Sequence, residues 1–328
     1  MARVPDESAT ELATEAVEPP TWDGPRETEA EASPAPVPPA PPDALPPAAP
    51  SYVYALGQVD WRFPSLGIEK EFAQATARVG SDDGDAPTTR RTGSRRAQQE
   101  KAPALTQHQL QSAALGDDAN RYLARQLCWV LMIEGLETYV LVPRDPLDLD
   151  LLRAAVRPER RADDIDAVIG TRAQIAPPEM CNGLGVPIVV FDQLYSFDRQ
   201  TLISSIPVPE TVVDSEEQQF RTSAGELFDK IIHVADNAGA TDEHRALNYL
   251  AVRYPRMYAV TTLMEQQNLL FTGIEVLRSP LGGVRNIVDV VFSYTHRQTD
   301  VTERQFVRVD VTDEFPFLVT KMGTYYRM

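Results

Sequence analysis

The stretch QLCWVLMIEGLETYVLVP, Gln126–Pro143, decides the fold that the sequence predicts. Every position from Leu127 to Ile133 is apolar, so a strand here has two apolar faces and must be covered on both sides. Thr138–Val142 is rich in β-branched and aromatic residues and predicts a second strand. Glu134-Gly135 between them fits the turn of a hairpin with a loop of two to four residues. The two faces of the first strand would carry Leu127, Trp129, Leu131 and Ile133 on one side, and Cys128, Val130 and Met132 on the other.

The remaining chain supplies elements that such a hairpin can pack against. Helical spacing and capping residues between 223 and 267 predict a helical block. Three later stretches alternate apolar and polar residues: Phe271–Leu277, Val284–Tyr294 and Arg304–Val311. They predict a C-terminal three-stranded antiparallel meander with one solvent-exposed face. The expected fold class is therefore α+β, with a mixed or antiparallel sheet around the central apolar hairpin.

Two segments are too polar or proline-rich to form a core. Residues 1–50 hold 13 of the 27 prolines, and ten acids against two arginines. This composition predicts a disordered tail. Residues at about 80–104 read as a polar, disordered linker, because their four arginines are offset by acids and have no aromatic neighbours. The predicted folded domain is 51–328.

The net charge of the chain limits the classes of partner that it is expected to bind. The net charge is −17, so neither nucleic acid nor an anionic membrane is an expected partner. No apolar h-region marks a secretory signal, and two cysteines about fifty residues apart predict no disulfide framework. We therefore expect a cytoplasmic, reducing compartment. The sequence does not determine the oligomeric state, and a homodimer is one of the options.

Five stretches carry a family resemblance. In chain order they are YALGQVDWRFPSLGIEKEFAQA (54–75), NRYLARQLCWVLMIEGLETYVLVPRDP (120–146), IAPPEMCNGLGVPIVVFDQLYSFD (175–198), DNAGATDEHRALNYLAVRYP (236–255) and VDVTDEFPFLVTK (309–321). Together they resemble the C-terminal domain of PatG-type cyanobactin maturation proteins. The resemblance implies a domain that accompanies the tailoring and macrocyclisation of ribosomally made peptides.

The protease of PatG-type proteins is not carried over by this resemblance. The chain has no serine in a Gly-Thr-Ser context and no histidine in a His-Gly context. We therefore expect an accessory binding or scaffold protein without protease activity, stand-alone, whose partners are a precursor peptide or peptide-tailoring enzymes. The alternative is a metal- or cysteine-dependent peptide-modifying enzyme.

Two site hypotheses follow from individual side chains. Thiolate and imidazole suit zinc, so Cys128, Cys181, His233 and His244 are a candidate Cys2His2 set, although their spacing lacks a zinc-motif pattern. Cys181 with His244 as base is a candidate nucleophile pair. Buried or solvated structural roles are the simpler explanation for these residues.

A third hypothesis is a peptide-binding site formed by a loop and the end of the strand that follows it. Pro177, Pro178, Gly183 and Gly185 bound a structured loop before the predicted strand Val186–Phe191. Strand ends and their loops are common places for sites. The candidate binding residues are Glu179, Cys181, Asn182, Asp192 and Tyr195.

Overall fold

A computed structural model of the chain describes residues 50–82, 105–209, 212 and 214–326. The predicted tail therefore lies outside the described residues except for Pro50. Of the predicted linker, only 80–82 is described, and it belongs to the end of a helix rather than to a loop. All described residues fall in one compact unit, Ala49–Met328.

The described residues form nine strands and eight α-helices. The strands are β1 (Ser51–Arg62), β2 (Cys128–Ile133), β3 (Leu136–Pro143), β4 (Asp164–Ile175), β5 (Pro187–Asp198), β6 (Leu269–Arg278), β7 (Ile287–His296), β8 (Thr302–Asp310) and β9 (Phe317–Thr324). The helices are α1 (Leu66–Asp82), α2 (Gln107–Gly116), α3 (Arg121–Ala124), α4 (Leu149–Ala155), α5 (Arg199–Ser205), α6 (Glu217–Ile232), α7 (Asp242–Arg253) and α8 (Arg256–Gln266). Short 3-10 turns lie at 118–120, 146–148 and 214–216. The predicted α+β class is confirmed.

The first five strands close into one sheet in the order β1-β2-β3-β5-β4. Closure depends on β1, whose first half pairs with β4 and whose second half pairs with β2. The β3–β5 pairing is parallel and the other pairings are antiparallel, so the sheet is mixed, as expected. Closing the sheet gives every strand a partner on both edges and encloses one side of the central hairpin.

The hairpin itself follows the sequence prediction. Its loop is two residues long, and Glu134 and Gly135 have φ angles of 50° and 79°. Positive φ at both positions matches the right-handed twist of the flanking strands. Trp129 and Leu131 face the enclosed core, whereas Cys128 and Val130 face a second, smaller core. The two apolar faces are therefore covered separately.

The loop between β4 and β5, residues 176–186, covers the outer face of the hairpin. Ala176, Cys181 and Leu184 pack there against Val130 and Val140. Cys181 also forms a disulfide with Cys128, whose Cα atom lies 5.5 Å away. The prediction that the two cysteines give no disulfide is wrong, because separation along the chain says nothing about the proximity that the closed sheet creates.

The C-terminal strands form a second sheet in the order β6-β7-β8-β9, antiparallel throughout. The predicted meander is present, with β9 as a fourth strand beyond the three expected. The alternation of β9 does not separate apolar from polar residues, because Phe317 and Val319 are exposed. The free edge of β9 is partly occupied, since the Met322 N–H donates to Tyr254 Oη at 2.8 Å.

The predicted helical block lies between the two sheets. Helices α6, α7 and α8 share one core with β4 and with the inner face of β7 and β8. Gly239, before α7, has a φ of 70° and lies against the backbone of Tyr54 in β1. A side chain there would meet that backbone, so glycine permits the helices to dock on the closed sheet.

Candidate functional site

The predicted zinc set is not assembled. Cys128 and Cys181 are joined to each other, and no free cysteine exists in the described chain. His233 lies at the exposed end of α6, where its Nδ1 is 2.8 Å from the Asp229 carbonyl oxygen. Among the residues that the structure describes, no group of three or more His, Cys, Asp or Glu side chains could hold a metal ion. The sulfur atoms that zinc would need are bonded to each other.

The nucleophile pair of Cys181 and His244 meets the same obstacle. A disulfide sulfur is not a thiolate, and the Cys181 side chain is fully buried. His244 occupies the first turn of α7, and its backbone N–H donates to Thr241 Oγ1 at 3.1 Å. Burial lowers the pKa of His244 despite the opposing charges of Glu243 and Asp236. Its imidazole is therefore held closer to the neutral form.

The five predicted binding residues are used in different ways. Glu179 and Asn182 are exposed on the 176–186 loop, with Cys181 buried beneath them. Asp192 forms an ion pair with Arg144, at 2.6 Å between Oδ1 and Nε. The Tyr195 hydroxyl hydrogen-bonds that of Tyr54, between the closed sheet and the helices. Cys181 and Tyr195 therefore have structural roles, while the exposed loop residues are accessible to a partner.

A cleft lies beside the hairpin turn. Its volume is about 500 Å³. Leu56, Ile133 and Ile165 give it an apolar, largely buried lining, and the carboxylate of Glu134 stands exposed at its edge. The polar lining includes Asp60, Arg160, Asp164 and His233. Clefts of about 300–1,000 Å³ with an apolar lining and a few polar groups are typical of ligand sites.

The polar wall of this cleft is braced by its own hydrogen bonds. Arg160 Nη1 lies 2.7 Å from Asp60 Oδ2. Gln58 Nε2 donates to the Asp164 carbonyl oxygen at 2.9 Å, and Arg157 Nη1 lies 2.8 Å from Asp164 Oδ1. These contacts leave Asp60 and Asp164 neutralised. The Glu134 carboxylate has no such partner among the described residues, so it is the free charge of the cleft.

A buried carboxyl group lies behind this wall. Asp166 accepts the Val59 N–H at 2.6 Å and the Ser196 hydroxyl at 2.5 Å. Burial raises the pKa of Asp166, although both hydrogen bonds and the charge of Arg157 oppose the rise. Because Asp166 takes a β1 N–H where β4 no longer pairs with β1, its role is to complete the backbone hydrogen bonds of the closed sheet.

A second polar cluster joins the two sheets. Asp192 on β5 lies close to Glu314, in the turn between β8 and β9, and both face Arg144. Burial raises the pKa of Glu314 to about 7, together with the hydrogen bond that its protonated carboxyl donates to Asp192 and the negative charge of Asp192. Asp192 was predicted as a binding residue, whereas Glu314 was not. Its pairing with Glu314 left no signal in the sequence, since only the packing of the two sheets creates it.

The fold and these two polar regions define an α+β domain that joins a closed five-stranded sheet to a four-stranded meander through three helices. Residues 214–325 match the family model described as PatG C-terminal. A solved structure titled "PatG Domain of Unknown Function" matches with a TM-score of 0.62 and 21% identity, over 84% of this chain and 98% of that chain. The predicted resemblance to the C-terminal domain of PatG-type proteins is thereby confirmed, and the structural match shows the shared fold.

The remaining comparisons add little about function. No curated protein matches the chain. In the part of the chain that the structure describes, no helix has the length and apolar character needed to cross a membrane.

Proposed function

We propose that this domain is an accessory binding protein in the biosynthesis of ribosomally made, modified peptides, and that the cleft beside the hairpin turn binds a peptide segment. The cleft carries the proposal. Its volume of about 500 Å³ suits a few side chains of an extended peptide. The PatG resemblance supports a precursor peptide, or a tailoring enzyme that carries one, as the partner. A cytoplasmic location belongs to the same proposal.

Charge favours one class of peptide. The free Glu134 carboxylate lies beside apolar residues of the cleft, and the whole chain carries a net charge of −17. A cationic side chain flanked by apolar ones would complement both features. The alternative of a cysteine- or zinc-dependent enzyme has less support, because the described residues offer no free thiol and no assembled metal site.

The first test reverses the charge at the cleft. We expect Glu134→Lys to weaken the binding of a labelled octapeptide, apolar except for one central lysine, by about two- to thirtyfold, because one exposed charge contributes about 0.2–1 kcal/mol and reversal doubles the change. The same octapeptide with a central glutamate should bind wild type more weakly than the lysine version. Fluorescence anisotropy measures all three affinities, and candidate precursor peptides of this biosynthetic class are then titrated in the same way.

Glu179→Lys is the matched control, since it makes the same charge change on the exposed 176–186 loop. If Glu179→Lys weakens binding and Glu134→Lys does not, the loop is the recognition site and the cleft is not. If neither octapeptide nor the precursor peptide binds wild type at all, the peptide-binding proposal is wrong.

A further inference from the structure

The turn between β8 and β9, residues 311–316, is anchored on helix α7 by one buried arginine. Arg245 is 3% exposed. Its Nη1 donates to the Val311 carbonyl oxygen at 2.7 Å, and its Nη2 donates to the carbonyl oxygens of Asp313 and Glu314. Both terminal nitrogens of the guanidinium thus donate to the backbone of the turn, and this arrangement fixes where the Glu314 side chain begins.

From this position, Glu314 reaches the closed sheet. Arg144 follows the last residue of β3, and its Nη2 lies 3.6 Å from Glu314 Oε1. The same arginine holds Asp192 Oδ1 through Nε, at 2.6 Å. The second oxygen of Asp192, Oδ2, and Glu314 Oε1 are both buried and receive no hydrogen bond from any donor in the described structure. Two unsatisfied buried acceptors are costly to folding.

A single proton removes this cost. The two carboxyl groups lie beside each other, because both contact Arg144 and each has a buried oxygen without a donor. The pKa shifts of both residues also include a hydrogen bond between them. If one of them is protonated, its hydroxyl donates to the other, and a carboxylic acid–carboxylate pair results. We propose that Asp192 and Glu314 share one proton, that this proton closes a clasp between the β8–β9 turn and the closed sheet, and that its loss loosens the turn. This proposal is independent of peptide binding at the cleft.

The charges around the pair favour this single proton. The groups that face it or its two arginines are Tyr52 on β1, Asp242 on α7 and Asp313 in the turn itself. Asp242 lies 3.6 Å from Arg245, which is otherwise engaged with carbonyl oxygens. Arg144 therefore forms the ion pairs with both carboxylates, and Arg245 adds a weaker effect. Both arginine charges lower the pKa of Glu314, but burial and the neighbouring Asp192 outweigh them.

The pKa values agree with this geometry. Burial, and then the hydrogen bond and charge of Asp192, raise the pKa of Glu314 to about 7. Burial alone would also raise the pKa of Asp192, but hydrogen bonds to Glu314 and Arg144 lower it overall. The proton therefore resides mainly on Glu314, and Asp192 is the carboxylate that accepts from it.

The direction of the pH dependence follows from these shifts. Because the closed turn raises the pKa of Glu314, its stabilisation is fully present below the ordinary value of 4.5 and is lost as the pH rises to about 7. The lowered pKa of Asp192 acts oppositely, and its contribution is lost only as the pH falls through that low value in acid. The clasp is thus closed under mildly acidic conditions and loosens towards alkaline pH.

The test measures the proton and the turn separately on the full chain. With 13C-labelled glutamate, we expect one carboxyl resonance to titrate near pH 7 and to disappear in Glu314→Gln. Asp192→Asn removes the neighbouring charge and should move this titration to lower pH. Hydrogen exchange of the amides at 311–318, corrected for intrinsic rates, should rise about tenfold in opening constant from pH 6 to pH 8 in wild type. In Glu314→Gln it should stay flat, because the amide donates to Asp192 at every pH.

Glu303→Gln, an exposed carboxyl change on β8, is the control and should leave the wild-type profile intact. A Glu314 resonance that titrates near 4.5 excludes the shared proton. Equal exchange at pH 6 and pH 8 in wild type excludes the clasp even if the proton is shared. If a variant does not fold, wild type alone still gives two decisive results. The absence of any glutamate carboxyl that titrates near pH 7 excludes the shared proton, and equal exchange at the two pH values excludes the clasp.

Discussion

Replacing Trp129 by alanine is expected to destabilise the domain by about 3–5 kcal/mol, the range measured for aromatic-to-alanine changes in cores. Trp129 is 3% exposed and packs inside the closed sheet. Its indole Nε1 also donates to the Ala124 carbonyl oxygen at 2.9 Å. The variant therefore loses apolar contacts and leaves a buried acceptor unpaired. The free energy of unfolding of a domain is typically about 5–15 kcal/mol, so this loss is a large share of it. Chemical denaturation followed by circular dichroism should therefore show a large shift of the midpoint.

Leu136→Ala provides the control in the same hairpin. Leu136 is 71% exposed, so its truncation should change the free energy of unfolding by at most about 0.5 kcal/mol. If both variants unfold at the same denaturant concentration as wild type, Trp129 is not enclosed and the closed sheet is wrong. A shift for Trp129→Ala alone supports the sheet as described.

Opening the Cys128–Cys181 disulfide is expected to cost about 4 kcal/mol, because the bond closes a loop with a sequence separation of 53 residues. The bond pins the 176–186 loop over the outer face of the hairpin. Reduction of wild type should therefore lower the unfolding midpoint without substituting any residue. Mass spectrometry after alkylation, with and without reductant, counts the free thiols and reports the state of the bond.

The double variant Cys128→Ala, Cys181→Ala is the control for this experiment. Its midpoint should not respond to reductant, since it has no bond to open. A wild-type midpoint that is equally insensitive would contradict a stabilising disulfide. Disulfides are rare in reducing compartments. The thiol count in protein taken directly from cells therefore also tests the proposed cytoplasmic location, which predicts two reduced cysteines.

The candidate sites show which site residues can be predicted from sequence patterns and which cannot. Asp192 was predicted from its place at the end of the apolar strand Val186–Phe191, but that strand continues to Asp198, so Asp192 lies within β5. The structure nevertheless places it in a polar cluster, between the two sheets. Glu314, the other half of that pair, stands in an ordinary acidic turn of the sequence. The Glu134 cleft was likewise not predicted, although Glu134-Gly135 was recognised as a turn. A turn has a local signature, whereas a cleft requires that β1, β2 and the end of α6 meet.

The features that the sequence specifies are therefore local ones. The apolar run Leu127–Ile133 specified a strand covered on both faces, Glu134-Gly135 specified its turn, and the alternation after residue 270 specified an antiparallel meander. Side-chain periodicity and turn residues act over a few neighbours, so they can be recognised without knowing the fold. Only the tertiary structure decided that β1 closes the sheet, that Cys128 meets Cys181, and that Asp192 meets Glu314. Each of these depends on segments far apart in the chain being held together by shared apolar cores, and burial in such a core is non-directional, so it leaves no partner-specific mark in the sequence.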